Sequence, residues 1–146
     1  MDNQYMEAAL SQALLAEQAG EVPIGAVITG PNGIIARAYN QTITQQDATA
    51  HAEILCIKEA SKALKNHRLS ECEIYVTLEP CLMCIGAICQ SRIKKVFFGA
   101  YDKRSGFISK ELSTKALNLN WHPEFEGGIL EEPCQKLLQG FFQARR

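Results

Sequence analysis

The chain has 146 residues, 47% of them hydrophobic and 21% charged, with a formal net charge of -1. This size and balance predict one soluble globular domain over residues 1–146, and they exclude choosing a partner from overall charge, so that only local clusters can point to one. The longest uncharged stretch, residues 22–36, is broken by Gly30, Pro31, Asn32 and Gly33, which excludes a bilayer-spanning segment.

The first segment places Met6, Ala9, Leu10, Ala13 and Leu14 at i, i+3, i+4 spacing, which predicts an amphipathic helix ending at Gly20. Asp2 and Glu7 precede any basic residue, so this segment does not read as a signal peptide and the expectation is a cytoplasmic protein. Residues 22–29 and 34–40 are β-rich and joined by Gly30–Gly33, a predicted hairpin. A polar loop over 41–50 leads to a predicted helix over 51–64, rich in Ala, Leu, Glu and Lys. A strand over 72–77, an apolar helix over 81–91 and a strand over 94–100 follow, then an irregular region over 101–123. A short strand over 125–130 and a helix over 132–146, weakened by Gly140, end the chain. This order predicts a mixed sheet with helices on both faces.

Six cysteines in a chain of this expected location read as thiols or metal ligands rather than disulfides. Cys81 and Cys84 directly follow Pro80 at a helix start, and a spacing of three puts both on one face of the first turn. Unpaired N–H groups there favour thiolates. By itself the pair is open to three readings: core cysteines, a redox pair or a metal site. His51 opens another helix after a loop, and two helix starts at one sheet edge can bring His51, Cys81 and Cys84 together as three zinc ligands. Cys56 and Cys89 lie five residues beyond His51 and Cys84, about 140° round a helix, and do not reach the same point. With Cys72 and Cys134 they read as small apolar core residues. A zinc with three protein ligands keeps a position for water, as catalytic sites do. Glu53, in the first turn after His51, is either a carboxylate complementing the helix dipole or a proton carrier for that water; the second use fits a zinc site better. Met83 and Ile85 read as core.

His51-Ala52-Glu53 followed by Pro80-Cys81-Leu82-Met83-Cys84 resembles the H-x-E and P-C-x-x-C signature of the zinc-dependent nucleoside and nucleobase deaminases. Residues 21–28, 49–54, 75–88, 91–102 and 140–146 are similar, in order, to segments of the tRNA adenosine deaminase branch of that group, a likeness covering Met6 to Arg146. The resemblance implies a three-layer α/β/α cytidine-deaminase-like fold with a central mixed five-stranded sheet. It also implies a homodimer with one Zn²⁺ per subunit and conversion of adenosine to inosine at the first anticodon position of a tRNA. Water activated by zinc on His51, Cys81 and Cys84 would attack C6 of adenine, with Glu53 moving protons to N1 and to the departing ammonia. Asn40 would hydrogen-bond the flipped base, a role an amide suits because it offers both a donor and an acceptor.

Recognition beyond one base needs groups that meet phosphate and ribose. Arg92, Lys94 and Lys95, then Lys103 and Arg104, and finally Arg145 and Arg146 after Phe141 and Phe142, are the basic clusters available to an anticodon stem-loop. Asp102 can accept from a ribose 2′-OH. No membrane partner or other protein partner is expected. The alternative is a guanine or other free-purine deaminase, which would share the zinc motifs. A cytidine deaminase fits less well with Leu82 after the first cysteine, and a structural zinc module needs a fourth ligand and no Glu53.

Overall fold

The computed structural model describes residues 2–145. Helix α1 spans Asp2–Gln18, β1 Gly25–Gly30, β2 Gly33–Tyr39, α2 Ala52–Leu64, β3 Glu73–Leu78, α3 Leu82–Ser91, β4 Lys95–Ala100, β5 Glu124–Glu126 and α4 Glu131–Gln143. The sheet order is β2-β1-β3-β4-β5. Strand β1 is antiparallel to β2 and β3, whereas β3, β4 and β5 are parallel.

Side chains alternate across this sheet, and both faces are covered. Ala26, Ile28, Ile74, Val76, Val96 and Phe98 face Cys56 and Ala60 of α2 and Ile85 and Ile88 of α3. Their neighbours Val27, Tyr75 and Phe97 face Met6 and Ala9 of α1 and Cys134 and Leu138 of α4. Burial on both faces is why these strands read as nearly continuous apolar runs. Tyr75 and Phe97 stack with centroids 4.3 Å apart. Helix α1 lies so close to β1 that a Cβ at Gly25 would overlap its backbone, and a side chain there is sterically excluded. The predicted three-layer mixed sheet of five strands is the observed architecture.

The differences are at element ends. Helix α1 stops at Gln18, and Gly20 turns the chain with φ 80°. Strand β1 starts at Gly25 instead of Val22: Pro23 has no N–H to donate, and a tight turn closes there by Ile24 N–H donating to Val22 O (2.8 Å). The last strand is Glu124–Glu126 and ends before Gly127 and Gly128. Among the described residues no helix is long and apolar enough to cross a membrane.

The parallel strands set the position of the site. Strands β3 and β4 end side by side, with Leu78 opposite Ala100, and the chain leaves β3 directly into Glu79, Pro80 and Cys81. Crevices at the carboxyl ends of parallel strands are where open α/β sheets bind ligands.

Candidate active site

His51 is the N-cap of α2 and Cys81 the N-cap of α3, both with extended backbone and neither with a side-chain cap hydrogen bond. An N-cap side chain ordinarily folds back onto its own helix. Here both turn toward each other. His51 Nδ1 lies 3.5 Å from Cys84 Sγ and 3.8 Å from Cys81 Sγ, and the three ligand atoms all fall within 4.8 Å of one another. Ligand bonds of roughly 2.0–2.3 Å at tetrahedral angles separate ligand atoms by roughly 3.5–3.8 Å, so the spacing suits a metal held by one nitrogen and two sulfurs.

The electrostatics agree with the geometry. The Cys84 thiol and the adjacent His51 pull Cys81 down to about 3, which makes it a thiolate. The Cys81 sulfur and burial push Cys84 the other way, so it keeps the shared proton until a metal displaces it. His51 is raised, chiefly by its contact with Cys81. Glu53 is 4% exposed. Burial lifts its carboxyl to about 7, although its own backbone N–H and the charge of His51 pull it down. A carboxyl that titrates near neutrality can both take and return a proton.

Glu53 stands outside the metal-competent cluster, and so do the remaining cysteines. Cys56, Cys72, Cys89 and Cys134 are each no more than 2% exposed and unpaired, as predicted. Burial pushes up all four, Cys134 to about 11. Among the described residues there is thus no fourth protein ligand at the cluster, and His51 and Cys81 border a cavity of about 190 Å³. His51, Glu53 and Cys81 line it, together with Ile24, Leu78, Glu79, Asp102 and Ser105.

The other sequence candidates are less uniform. Asn40 is 5% exposed, and its N–H donates to Ile24 O (3.0 Å), next to the cavity wall. Its side-chain amide has no partner among the described residues, yet no fully buried side-chain N or O goes unsatisfied. The amide therefore reaches solvent, with its donors and acceptor available. Asp102 lines the cavity, but Oδ1 accepts the N–H groups of Arg104 and Ser105 (both 3.1 Å) and shapes its own loop. Lys103 and Arg104 border a groove of about 350 Å³ that shares Leu78, Asp102 and Ser105 with the cavity and is also lined by Phe142.

Three placements differ from expectation. Arg145 is not extended from the tail: its guanidinium lies 3.5 Å from the centroid of Phe141 and donates to Phe141 O (3.2 Å). Arg146 lies outside the described residues. Arg92, Lys94 and Lys95 stand at the start of β4, whereas the site is at its end, roughly 17 Å away for a strand of this length. Arg92 there closes α3 by donating to Cys89 O (3.0 Å), and Lys95 pairs with Glu126 (3.2 Å). Met83 is 37% exposed and Leu82 52%, on the outer side of the first turn of α3, whereas Cys84 and Ile85 in the same turn are buried. Sequence reasoning passed over Glu21 and Glu79, both buried. The signal was an acid beside a β-rich run in each case, which alone does not distinguish a buried anchor from a strand-end charge.

Comparison with known proteins bears on this geometry. The MafB19-like deaminase family profile matches residues 1–146. A tRNA-specific adenosine deaminase of Bacillus subtilis is 46% identical over 99% of this chain and 91% of its own. A solved structure from work on A-to-I editing by tRNA:A34 deaminases at the wobble position superposes with a TM-score of 0.86, at 38% identity, over 92% of this chain and 99% of that one. A guanine deaminase from Bacillus subtilis superposes less closely, with a TM-score of 0.64 at 35% identity over 82% of this chain and 69% of its own.

Proposed function

The chain belongs to the tRNA-specific adenosine deaminase family, and we propose that it hydrolyses adenosine to inosine at the first anticodon position of a tRNA, using His51, Cys81 and Cys84 as metal ligands and Glu53 as proton carrier. The observation that carries this reading is the meeting of three ligand atoms within 4.8 Å, from two helix starts, beside a buried carboxyl that is not part of the ligand set.

Zinc is the ion these donors suit, since two thiolates and an imidazole at tetrahedral spacing are its common ligands. When bound, zinc supplies the Lewis acidity that brings a water's pKa toward roughly 7. His51, Cys81 and Cys84 would hold the ion, and no fourth protein ligand stands at the cluster among the described residues. Glu53 takes the proton of the attacking water and passes protons to ring N1 and to the departing amine. The C6–N bond breaks, ammonia leaves, and the water oxygen remains on C6. Asn40 presents its amide to the extruded base, and Asp102 keeps Oδ2 for a ribose hydroxyl. Lys103 and Arg104 border the groove that adjoins the cavity and would meet the phosphates of an anticodon loop there, with Arg145 on the last turn of α4 as a further cation for that backbone. Leu82 and Met83 leave apolar surface next to Cys81, which a homodimer covers; sedimentation of the metal-loaded protein tests that point. Action on a tRNA is consistent with the cytoplasmic location expected from the sequence.

A substrate panel tests the reading: purified protein with anticodon stem-loops, free adenosine, guanine and cytidine, assayed for inosine and released ammonia. The expected result is inosine from stem-loops with adenosine at the first anticodon position. Guanine as the preferred substrate would transfer the site to the free-purine deaminases.

A further inference from the structure

Two buried carboxylates outside the metal cluster hold loops next to the site: one supplies Asp102 and Ser105 to the cavity, the other leads into His51. Glu79, at the end of β3, is 2% exposed and lines the cavity itself. Its Oε1 accepts the N–H of Asp102 (2.9 Å) and the hydroxyl of Ser109 (2.5 Å), and its Oε2 accepts the N–H of Ser109 (2.7 Å). The next residue, Pro80, accepts the N–H of Phe107 through its carbonyl (2.9 Å). The loop passes so close that a Cβ at Gly106 would overlap the Glu79 carboxylate. The whole 102–109 turn is thereby tied to the segment that delivers Cys81.

Glu21 makes the same arrangement with the loop that leads into His51. It is fully buried and accepts the N–H of Ile43 (3.1 Å), the N–H of Thr44 (2.6 Å) and the Thr44 hydroxyl (2.6 Å). That loop has Asn40 at one end and His51 at the other, and Gln41 N–H donates to Ala50 O (3.0 Å) to close its base. In both places two backbone N–H groups and one hydroxyl converge on a carboxylate, 22 to 30 residues away in sequence. Three donors meeting at one side chain require an acceptor-only group, and an amide would set its own N–H₂ against one of them. Glu79 faces the cavity, but its oxygens are committed to the loop, which distinguishes it from Glu53.

We infer that Glu21 and Glu79 are paired positioning residues for the RNA substrate, Glu79 fixing the 102–109 loop that lines the cavity and Glu21 fixing the 41–50 loop that connects Asn40 to His51. The inference rests on the RNA deaminase reading for its substrate, while the loop restraint can be measured without any substrate. Glu79→Gln keeps size and shape and removes one acceptor. Hydrogen exchange followed by mass spectrometry should show faster exchange over 101–109 and unchanged exchange over α3. Glu21→Gln should do the same over 41–50 and leave 101–109 alone. In steady-state assays on an anticodon stem-loop, Glu79→Gln should raise KM by about tenfold or more, the size of a lost hydrogen bond to a charged group, with kcat close to wild type. Gly106→Ala, which crowds the same carboxylate from the loop side, should reproduce the KM effect, and Ser109→Ala should give a smaller one. Metal content should stay at the wild-type level in all of them. Unchanged loop exchange in Glu79→Gln, or a loss confined to kcat, or loss of metal, would each overturn the inference. An inactive wild type would count against the deaminase reading, and the exchange result would then decide the restraint by itself.

Discussion

The floor and the rim of the cavity are built in different ways. The floor consists of His51, Glu53, Cys81 and Cys84, all within the first turn or cap of α2 and α3. Each of these residues is placed by short-range structure on a sheet that is buried on both faces. The rim and its surroundings consist of Asp102 and Ser105 in the cavity wall, Asn40 bonded to Ile24 of that wall, and Phe142 in the adjoining groove, carried by two loops and the last helix. These are placed by contacts between residues far apart in sequence, Glu79 to Ser109 among them. The difference teaches that the chemical step depends on a few rigid positions, whereas substrate selection depends on loops that can be loosened separately. Floor substitutions should abolish metal or turnover; rim substitutions should mainly weaken binding.

The largest effect is expected at the floor's ligands. Cys84→Ala should reduce bound zinc from about one per chain to background, eliminate activity, and lower the thermal midpoint. Elemental analysis beside a melting curve checks this, and full zinc in the variant would remove Cys84 from the ligand set. Next comes Glu53→Gln, which should keep zinc and fold while turnover drops by roughly 10²–10⁴-fold. Single-turnover rates at saturating stem-loop, with zinc measured on the same sample, are the appropriate readout.

Rim changes should be smaller. Asn40→Ala removes an amide that has no partner among the described residues, and kcat/KM should fall by roughly 10- to 100-fold as base hydrogen bonds are lost. Phe142 lines the groove and is 48% exposed. Phe142→Ala should weaken stem-loop binding by about 1–3 kcal/mol if a base stacks there. Charge reversal at Arg145 should cost less, because its guanidinium is already laid over Phe141. The expected change is a salt slope shallower by roughly one phosphate contact, read from binding at several ionic strengths.

The smallest effect concerns acid. Burial raises the Glu21 carboxyl, but the hydrogen bonds from the hydroxyl and N–H of Thr44 and the N–H of Ile43 outweigh it and hold the group below the usual carboxylate range. A carboxyl depressed in the folded state adds stability above its unfolded value near 4.5, and that contribution is lost as pH falls through the folded value. Urea unfolding across this range should show a decline in wild type that is weaker in Glu21→Gln. Parallel profiles would mean that the restraint on the 41–50 loop contributes nothing through its charge.

The same division explains what was legible in the sequence. His51 and the Cys81–Cys84 pair could be read because a helix start fixes side-chain direction within a few residues, and three such directions at one sheet edge leave little freedom. The alternation of apolar runs likewise gave the layers and the five strands. Glu79 was not legible because its role exists only once residues 102–109 have folded over it. Arg92 and Lys95 were misplaced for a related reason: their proximity in sequence to the β4 strand does not say which end of it carries the site. Arg145 was misjudged because a terminal arginine can turn back onto the aromatic ring four residues earlier, which its sequence context permits but does not require.

The most direct test of the central claim is a reaction in ¹⁸O-labelled water with a stem-loop containing adenosine at the first anticodon position and at one other site. The account predicts that a single ¹⁸O enters the first-position base, that one ammonia appears per inosine, and that the second adenosine is untouched. Inosine without the label, or equal conversion of both adenosines, would contradict hydrolysis at a site built to receive one flipped base.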